Sequence, residues 1–208
     1  MSRLEIAGLF FQGRGPYDLT IAVGECVGLS GASGAGKSLF LRAIADLDPH
    51  EGVICLGSMN CAEVAAPLWR RSVGMLPAES FWWYDHVGEH FTDFNTIAEE
   101  SLALLGFDHS VQGWQVSRLS TGEKQRLAIL RLLQNRPGAL LLDEPTASLD
   151  AENIGKAEKL LMNYCRETAI PVLWVSHDPE QLLRVADRRL FMAADGNLLT
   201  KGGQKNGR

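Results

Sequence analysis

Apolar and polar positions change period several times along the chain, and each change marks an element. Residues 3–7 and 17–23 fit short strands, with Gly13-Arg14-Gly15-Pro16 as a turn between them. Residues 26–30, Cys-Val-Gly-Leu-Ser, form an apolar strand that runs straight into a glycine-rich segment. From Ser38, the residues Leu39, Leu41, Ile44 and Leu47 recur with helical spacing until Asp48-Pro49 ends the run. Residues 139–142 and 171–175 are unbroken apolar stretches, the pattern of parallel strands buried on both faces. Between them, residues 151–168 read as a crossover helix. Strands alternating with helices predict an α/β chain whose mainly parallel sheet is covered on both sides.

Residues 78–118 break this pattern. They lack strand alternation and crowd together Phe81, Trp82, Trp83, Tyr84, Phe91 and Phe94. No Pro/Gly/Ser-rich linker brackets them, so they read as a short helical subdomain on the α/β body. Length agrees, because 208 residues exceed one average domain of about 150 but cannot hold two full cores. The expected division is a single domain over 1–208: an α/β core over 1–77 and 119–200, the subdomain over 78–118, and a flexible polar tail over 201–208.

Composition works by exclusion. Twenty Lys+Arg against 25 Asp+Glu give a net charge of −5, the reverse of a duplex-DNA binder, so no direct contact with nucleic acid is expected. No apolar run approaches the roughly 18 residues of a membrane span. The N-terminus lacks the apolar stretch of a secretory leader, and a cytoplasmic protein is the expectation. Cys26, Cys55, Cys61 and Cys165 include no C-x-x-C pair and are expected to be reduced, mostly buried thiols.

Two motifs carry chemistry. Gly31-Ala32-Ser33-Gly34-Ala35-Gly36-Lys37-Ser38 fits G-x-x-x-x-G-K-[ST], with a strand before it and a helix after it. Its backbone N–H groups would surround phosphate, with Leu39 following in the same binding set. Lys37 would reach the β- and γ-phosphates of a nucleotide, and Ser38 would place its hydroxyl on Mg²⁺. The second motif is Asp143-Glu144, which ends an apolar strand with two carboxylates that strand alternation would aim in different directions. Asp143 suits the Mg²⁺ shell, and Glu144 is placed to orient or deprotonate an attacking water.

The segment Leu119-Ser120-Thr121-Gly122-Glu123-Lys124-Gln125-Arg126 resembles the signature of ATP-binding-cassette (ABC) ATPases. Ser148-Leu149-Asp150 resembles that family's D-loop, and His177 its switch histidine. Ser120-x-x-Glu123 is independently a capping box, so a helix starts there. The resemblance implies a P-loop fold with an added N-terminal antiparallel β part and two cassettes closing head to tail over MgATP. In that arrangement Ser120, Thr121, Gly122, Glu123 and Asp150 act on the nucleotide of a second cassette, most simply in a homodimer. It implies hydrolysis that powers a separate transmembrane permease, docked through residues 78–94, and a location on the inner face of the cell membrane. It also implies an aromatic adenine platform, assigned to Phe11 with Phe10 and Tyr17 as competitors.

Two positions depart from the family pattern. Thr121 replaces a signature glycine. Ala78, followed by Glu79, stands where the family places a glutamine that reaches Mg²⁺, which implies a modified metal shell and altered hydrolysis or coupling. Two alternatives therefore stay open: a nucleotide-gated regulatory module with weak hydrolysis, or a soluble ABC ATPase outside transport. His86-x-x-Glu89-His90 also fits the H-x-x-E-H pattern of a zinc peptidase group. Gly88 inside the would-be helix and the lack of a third ligand favour a solvated or docking face instead.

Overall fold

The computed structural model describes residues 2–194 and 196–201; residues 202–208 of the expected tail lie outside the described residues. Strand β1 (Leu4–Phe11) pairs with β2 (Arg14–Ile21) around a loop of Gln12 and Gly13. Both loop residues have positive φ, 47° and 75°, as a two-residue turn matched to strand twist requires. The reversal thus comes before the Gly13–Pro16 stretch is complete, and Arg14 already pairs with Phe11.

Strand β3 (Cys26–Gly31) leads into α1 (Lys37–Ile44), and β4 (Glu51–Leu56) with β5 (Met59–Asn60) completes an antiparallel sheet in the order β2-β1-β4-β5. Helix α1 stops at Ile44 rather than near Leu47. Its end is held from α2 (Ala66–Ser72), where Trp69 Nε1 donates to Ile44 O at 2.9 Å and the Arg70 guanidinium donates to Asp46 O. Partners outside the local sequence therefore set that boundary.

After β6 (Val73–Leu76), the segment up to residue 118 contains α3 (Glu99–Leu104) and otherwise single 3₁₀ turns at Val87–His90, Phe94–Thr96, His109–Gly113 and Val116–Arg118. The helical character of this subdomain comes in one-turn pieces. Then follow α4 (Thr121–Gln134), β7 (Ala139–Asp143), α5 (Ala151–Thr168), β8 (Val172–Val175), α6 (Pro179–Val185), β9 (Arg188–Met192) and β10 (Leu198–Lys201). They build a sheet in the order β10-β9-β3-β8-β7-β6, parallel except for β10 against β9.

The two-residue period of the strands divides the core. Ala139, Leu141, Leu173 and Val175 face a cluster with Phe40, Leu41 and Ile44 of α1 and the inner side of the antiparallel sheet. Leu140, Leu142, Val172 and Trp174 face the opposite cluster with Leu127, Ile129 and Leu130 of α4 and Leu161 of α5. Both faces of β7 and β8 are buried, which is why their sequences read as continuous apolar runs. The described cysteines are free thiols; burial pushes Cys61 up to about 11 and Cys165 up to about 12.

Candidate nucleotide site

The end of β3 turns into α1 through a loop that needs glycine for two separate reasons. A Cβ on Gly31 would collide with Met192 O of the neighbouring strand. Gly36, the N-cap of α1, sits at φ 103°, a conformation side chains rarely adopt, and the Arg14 guanidinium packs where its Cβ would stand. The first N–H groups of α1 lack intrahelical acceptors and face the loop, a geometry made for an anion. The buried Lys37 ammonium donates to Gly31 O and Ala32 O, each at 2.9 Å, which leaves its third N–H free for a ligand. Burial lowers the Lys37 pKa, while the Glu144 and Asp143 charges oppose that shift.

Across the loop, β7 delivers Asp143 as its last residue, only 4% exposed. Glu144 follows outside the strand with φ 48°, while its N–H still donates to Val175 O at 3.1 Å. This left-handed residue, and not strand alternation, sets the direction of the second carboxylate. Both acids consequently line one cleft of about 260 Å³, together with Ser33, Gly34, Gly36, Lys37, Ser38, Leu39, Ala78 and His177. Burial, then the Asp143 charge, raises the Glu144 pKa to about 7, against the opposing pull of Lys37. Glu144 Oε1 is buried with no hydrogen-bond partner and lies 3.5 Å from His177 Nε2. A carboxyl poised near neutrality beside an exposed imidazole can exchange a proton with a molecule in the cleft.

The remaining sequence candidates fall elsewhere. Gly31 and Ala32 line a neighbouring pocket with His177, and Ala35 is buried with its carbonyl turned to Arg14. Ser120, Thr121, Gly122, Glu123 and Asp150 do not line the phosphate-loop cleft among the described residues. Ser120 Oγ accepts the Glu123 N–H, and Glu123 Oε2 accepts the Ser120 N–H at 2.8 Å, a complete capping box at the start of α4. Gly122 packs on the Ser148 carbonyl, so signature and D-loop segments touch. Asp150 caps α5 by accepting the Asn153 N–H.

Phe11 is a correction. Only 2% exposed, it lies against Tyr17 at 5.6 Å and Phe40 at 6.2 Å between ring centroids, so no adenine can reach its face. The cause is a bulge: Leu4 and Ile6 face inward, parity changes at Gly8 (φ 61°, N–H donating to Asp18 Oδ1), and Leu9 and Phe11 then face inward. Phe10 is left 38% exposed. We expect Phe11→Ala to cost about 3–5 kcal/mol of stability in denaturant unfolding. A loss below about 1 kcal/mol would show that Phe11 is not a core residue.

The H-x-x-E-H segment also gathers no shared metal ligands. His90 Nε2 accepts the N–H groups of Trp83 and Tyr84, each at 2.9 Å, and its Nδ1 meets His86 O at 3.1 Å. Both ring nitrogens are thus used inside a buried turn, and burial lowers the His90 pKa. Sequence reasoning missed Arg14, whose guanidinium donates to Ala35 O at 2.7 Å and braces the phosphate loop from the β-hairpin. It also missed the buried Gln181 of α6, which donates to Thr146 and Glu158 and so ties α6 to the segment after Glu144 and to α5. No local pattern marks either residue.

A glycine loop and helix start at the end of a parallel strand, facing paired acids at the end of the interior strand β7, define a P-loop nucleotide-binding protein. The ABC transporter family model matches residues 15–147, and the chain belongs to that family. It is 38% identical to "Aliphatic sulfonates import ATP-binding protein SsuB 2" of Paracoccus denitrificans (strain Pd 1222), over 84% of this chain and 69% of that protein. It is 36% identical to the SsuB 2 protein of Pseudomonas savastanoi pv. phaseolicola (strain 1448A / Race 6), over 87% of this chain. The chain spans 65% of the length of that relative. Among solved structures, "Structure of ATP binding subunit of ABC transporter" superposes with a TM-score of 0.82 at 20% identity, covering 95% of this chain and 89% of that one. These likenesses establish the shared fold.

Proposed function

We propose that the chain is an ATP-hydrolysing cassette that pairs with a second cassette, most simply its own copy, around MgATP and drives a separate membrane permease. One observation carries the reading. The phosphate loop, Asp143, Glu144 and His177 share a cleft, while the Ser120–Glu123 helix start on the same chain is absent from the described lining. Two half-sites that do not meet within one chain are complementary between two. Ser120, Thr121 and Gly122 would then contact the γ-phosphate held by the other copy, with Asp150 beside them.

The cleft suits a hard divalent cation. The buried Asp143 carboxylate, the Ser38 hydroxyl and the unpartnered Glu144 Oε1 offer only oxygen. Asp143 and Ser38 would hold Mg²⁺, which supplies positive charge to the phosphate oxygens when bound. Lys37 and the loop N–H groups hold the phosphates. Glu144 takes a proton from the water that attacks the γ-phosphorus as the bond to the β-phosphate oxygen breaks and ADP leaves. His177 donates to a γ-phosphate oxygen. Adenine stacking passes to Phe10, the exposed ring of the pair.

Steady-state phosphate release from MgATP tests this reading through its pH dependence. Glu144 must be ionised to act as base, and with a pKa of about 7 its ionised fraction grows as pH rises. We expect kcat/KM to fall about tenfold per pH unit below neutrality and to level off above it. A flat profile through neutrality would remove Glu144 as the base. Ala78 lines the cleft, so Ala78→Gln should place an oxygen ligand there and lower the half-saturating Mg²⁺ concentration several-fold. Unchanged Mg²⁺ dependence and turnover would show that Ala78 does not modify the metal shell.

Phe81, Trp83 and Tyr84 are 68%, 63% and 52% exposed, an aromatic surface suited to a permease segment. Arg131 of α4 lies over the Trp82 and Trp83 rings at 4.5 and 5.1 Å and donates to Phe81 O, which ties this surface to the signature helix. The curated relatives are named as import subunits, and import is the direction proposed here. Attachment through the permease would place the chain on the inner face of the membrane.

A further inference from the structure

We propose that Asp46, His50 and Cys61 form a site for zinc or another thiophilic divalent metal, apart from the nucleotide cleft. One donor atom from each residue lies within 4.8 Å of the other two, and Asp46 Oδ1 is 3.8 Å from a His50 ring nitrogen, Nε2. Tetrahedral zinc, with bonds of about 2.0–2.3 Å, needs donors about 3.3–3.7 Å apart. The three residues are thus within about 1.5 Å of that spacing before any ion pulls them in. Asp46 and His50 are four residues apart in the connection from α1 to β4, and Cys61 joins them from the 3₁₀ turn Cys61–Glu63 after β5.

Three further features favour a cation there. His50 turns Nε2 toward Asp46, while its Nδ1 is buried without a hydrogen-bond partner, so the ring carries an unsatisfied nitrogen that a cation or its water could engage. Asp46 is held in place: Arg70 donates to its carbonyl at 2.9 Å and sits 3.4 Å from Oδ2, which leaves Oδ1 toward His50. The turn bearing Cys61 is fixed by Asn60, whose side chain accepts the Ala62 N–H. Cys61 is 7% exposed and the His50 side chain 13%, so the site is shielded there, while Asp46, with its side chain 31% exposed, opens one side to water as a fourth ligand. One imidazole, one carboxylate and one thiolate select zinc-type metals over Mg²⁺. Binding forms a metal–sulfur bond and releases the thiol proton to solvent, with no change of oxidation state. The two anionic ligands balance a divalent charge, and Arg70 beside Asp46 leaves the loaded site one positive charge in excess.

Such an ion would clamp the far end of the phosphate-loop helix to the antiparallel sheet. The test uses the whole chain, stripped with chelator and titrated with Co²⁺ alone, then with Zn²⁺. One Co²⁺ per chain should bind with a thiolate-to-cobalt charge-transfer band that Zn²⁺ displaces. The oxygen-lined nucleotide cleft cannot give that band. Cys61→Ser should abolish it, Cys55→Ser and Cys165→Ser should leave it, and His50→Ala should weaken Co²⁺ at least tenfold. Binding of a fluorescent ATP analogue, unaltered in His50→Ala and Cys61→Ser, shows that the variants fold. The proposal is overturned if the wild-type chain gives no thiolate band at stoichiometric Co²⁺. It is equally overturned if the band survives Cys61→Ser or follows Cys165, or if His50→Ala binds Co²⁺ as tightly as the wild type.

Discussion

Lys37→Ala should weaken ATP binding by about 10–100-fold and lower kcat/KM on the order of 1000-fold, because one ammonium serves both ligand and loop. Its remaining N–H is the only cationic donor among the residues lining the cleft, His177 aside. Its other two bonds hold the Gly31 and Ala32 carbonyls, so truncation also leaves the loop without its internal donor. Titration calorimetry with ATP measures the first effect and phosphate release the second. Thermal unfolding separates both from a loss of fold. Lys37 sits at the start of α1, and the cores on either side do not depend on its head group, so the fold should persist. Unchanged ATP affinity in a folded Lys37→Ala protein would contradict the assignment of the loop.

Glu144→Gln should have the opposite division: turnover falls by about 10²–10⁴ while ATP binding is kept. The amide keeps the shape but cannot accept the proton, and it carries no charge for burial, and then the neighbouring Asp143, to disfavour, the two causes that raise the Glu144 pKa. The same shift links to stability. The folded state raises this pKa from 4.5 to about 7, so folding favours the protonated carboxyl. That contribution is fully present below about 4.5 and is lost as pH rises through about 7. Glu144→Gln should therefore stabilise the protein most at pH 8 and least at pH 4. Denaturant unfolding at the two pH values checks the sign, and a gain larger at pH 4 would refute it.

Much of the site was legible because its motifs are local. Gly31–Ser38, Asp143-Glu144 and Ser120-x-x-Glu123 each state their geometry within a few residues, and the structure places the first two around one cleft. The buried strands were legible for the same reason, since two-sided burial leaves an unbroken apolar run. What failed depended on distant partners or on a shift of register. The Gly8 bulge exchanged the sides of Phe10 and Phe11, and alternation counted from Leu4 could not foresee it. The aromatic segment was ambiguous because its order comes from His90 and from Arg131 of a later helix. Cys61 reaches the local Asp46–His50 pair only when α1, β4 and β5 are in place.

The central claim is that this chain holds half of each of two composite sites. The most direct test is the mass of Glu144→Gln in solution, measured by sedimentation with saturating MgATP and without nucleotide. Slowed hydrolysis should hold the closed pair together, so the mass should double with ATP and stay monomeric without it. Adding Ser120→Arg to Glu144→Gln should return it to monomer while ATP still binds. A Glu144→Gln protein that remains monomeric with ATP fully bound, or a pair that survives Ser120→Arg, would contradict the account.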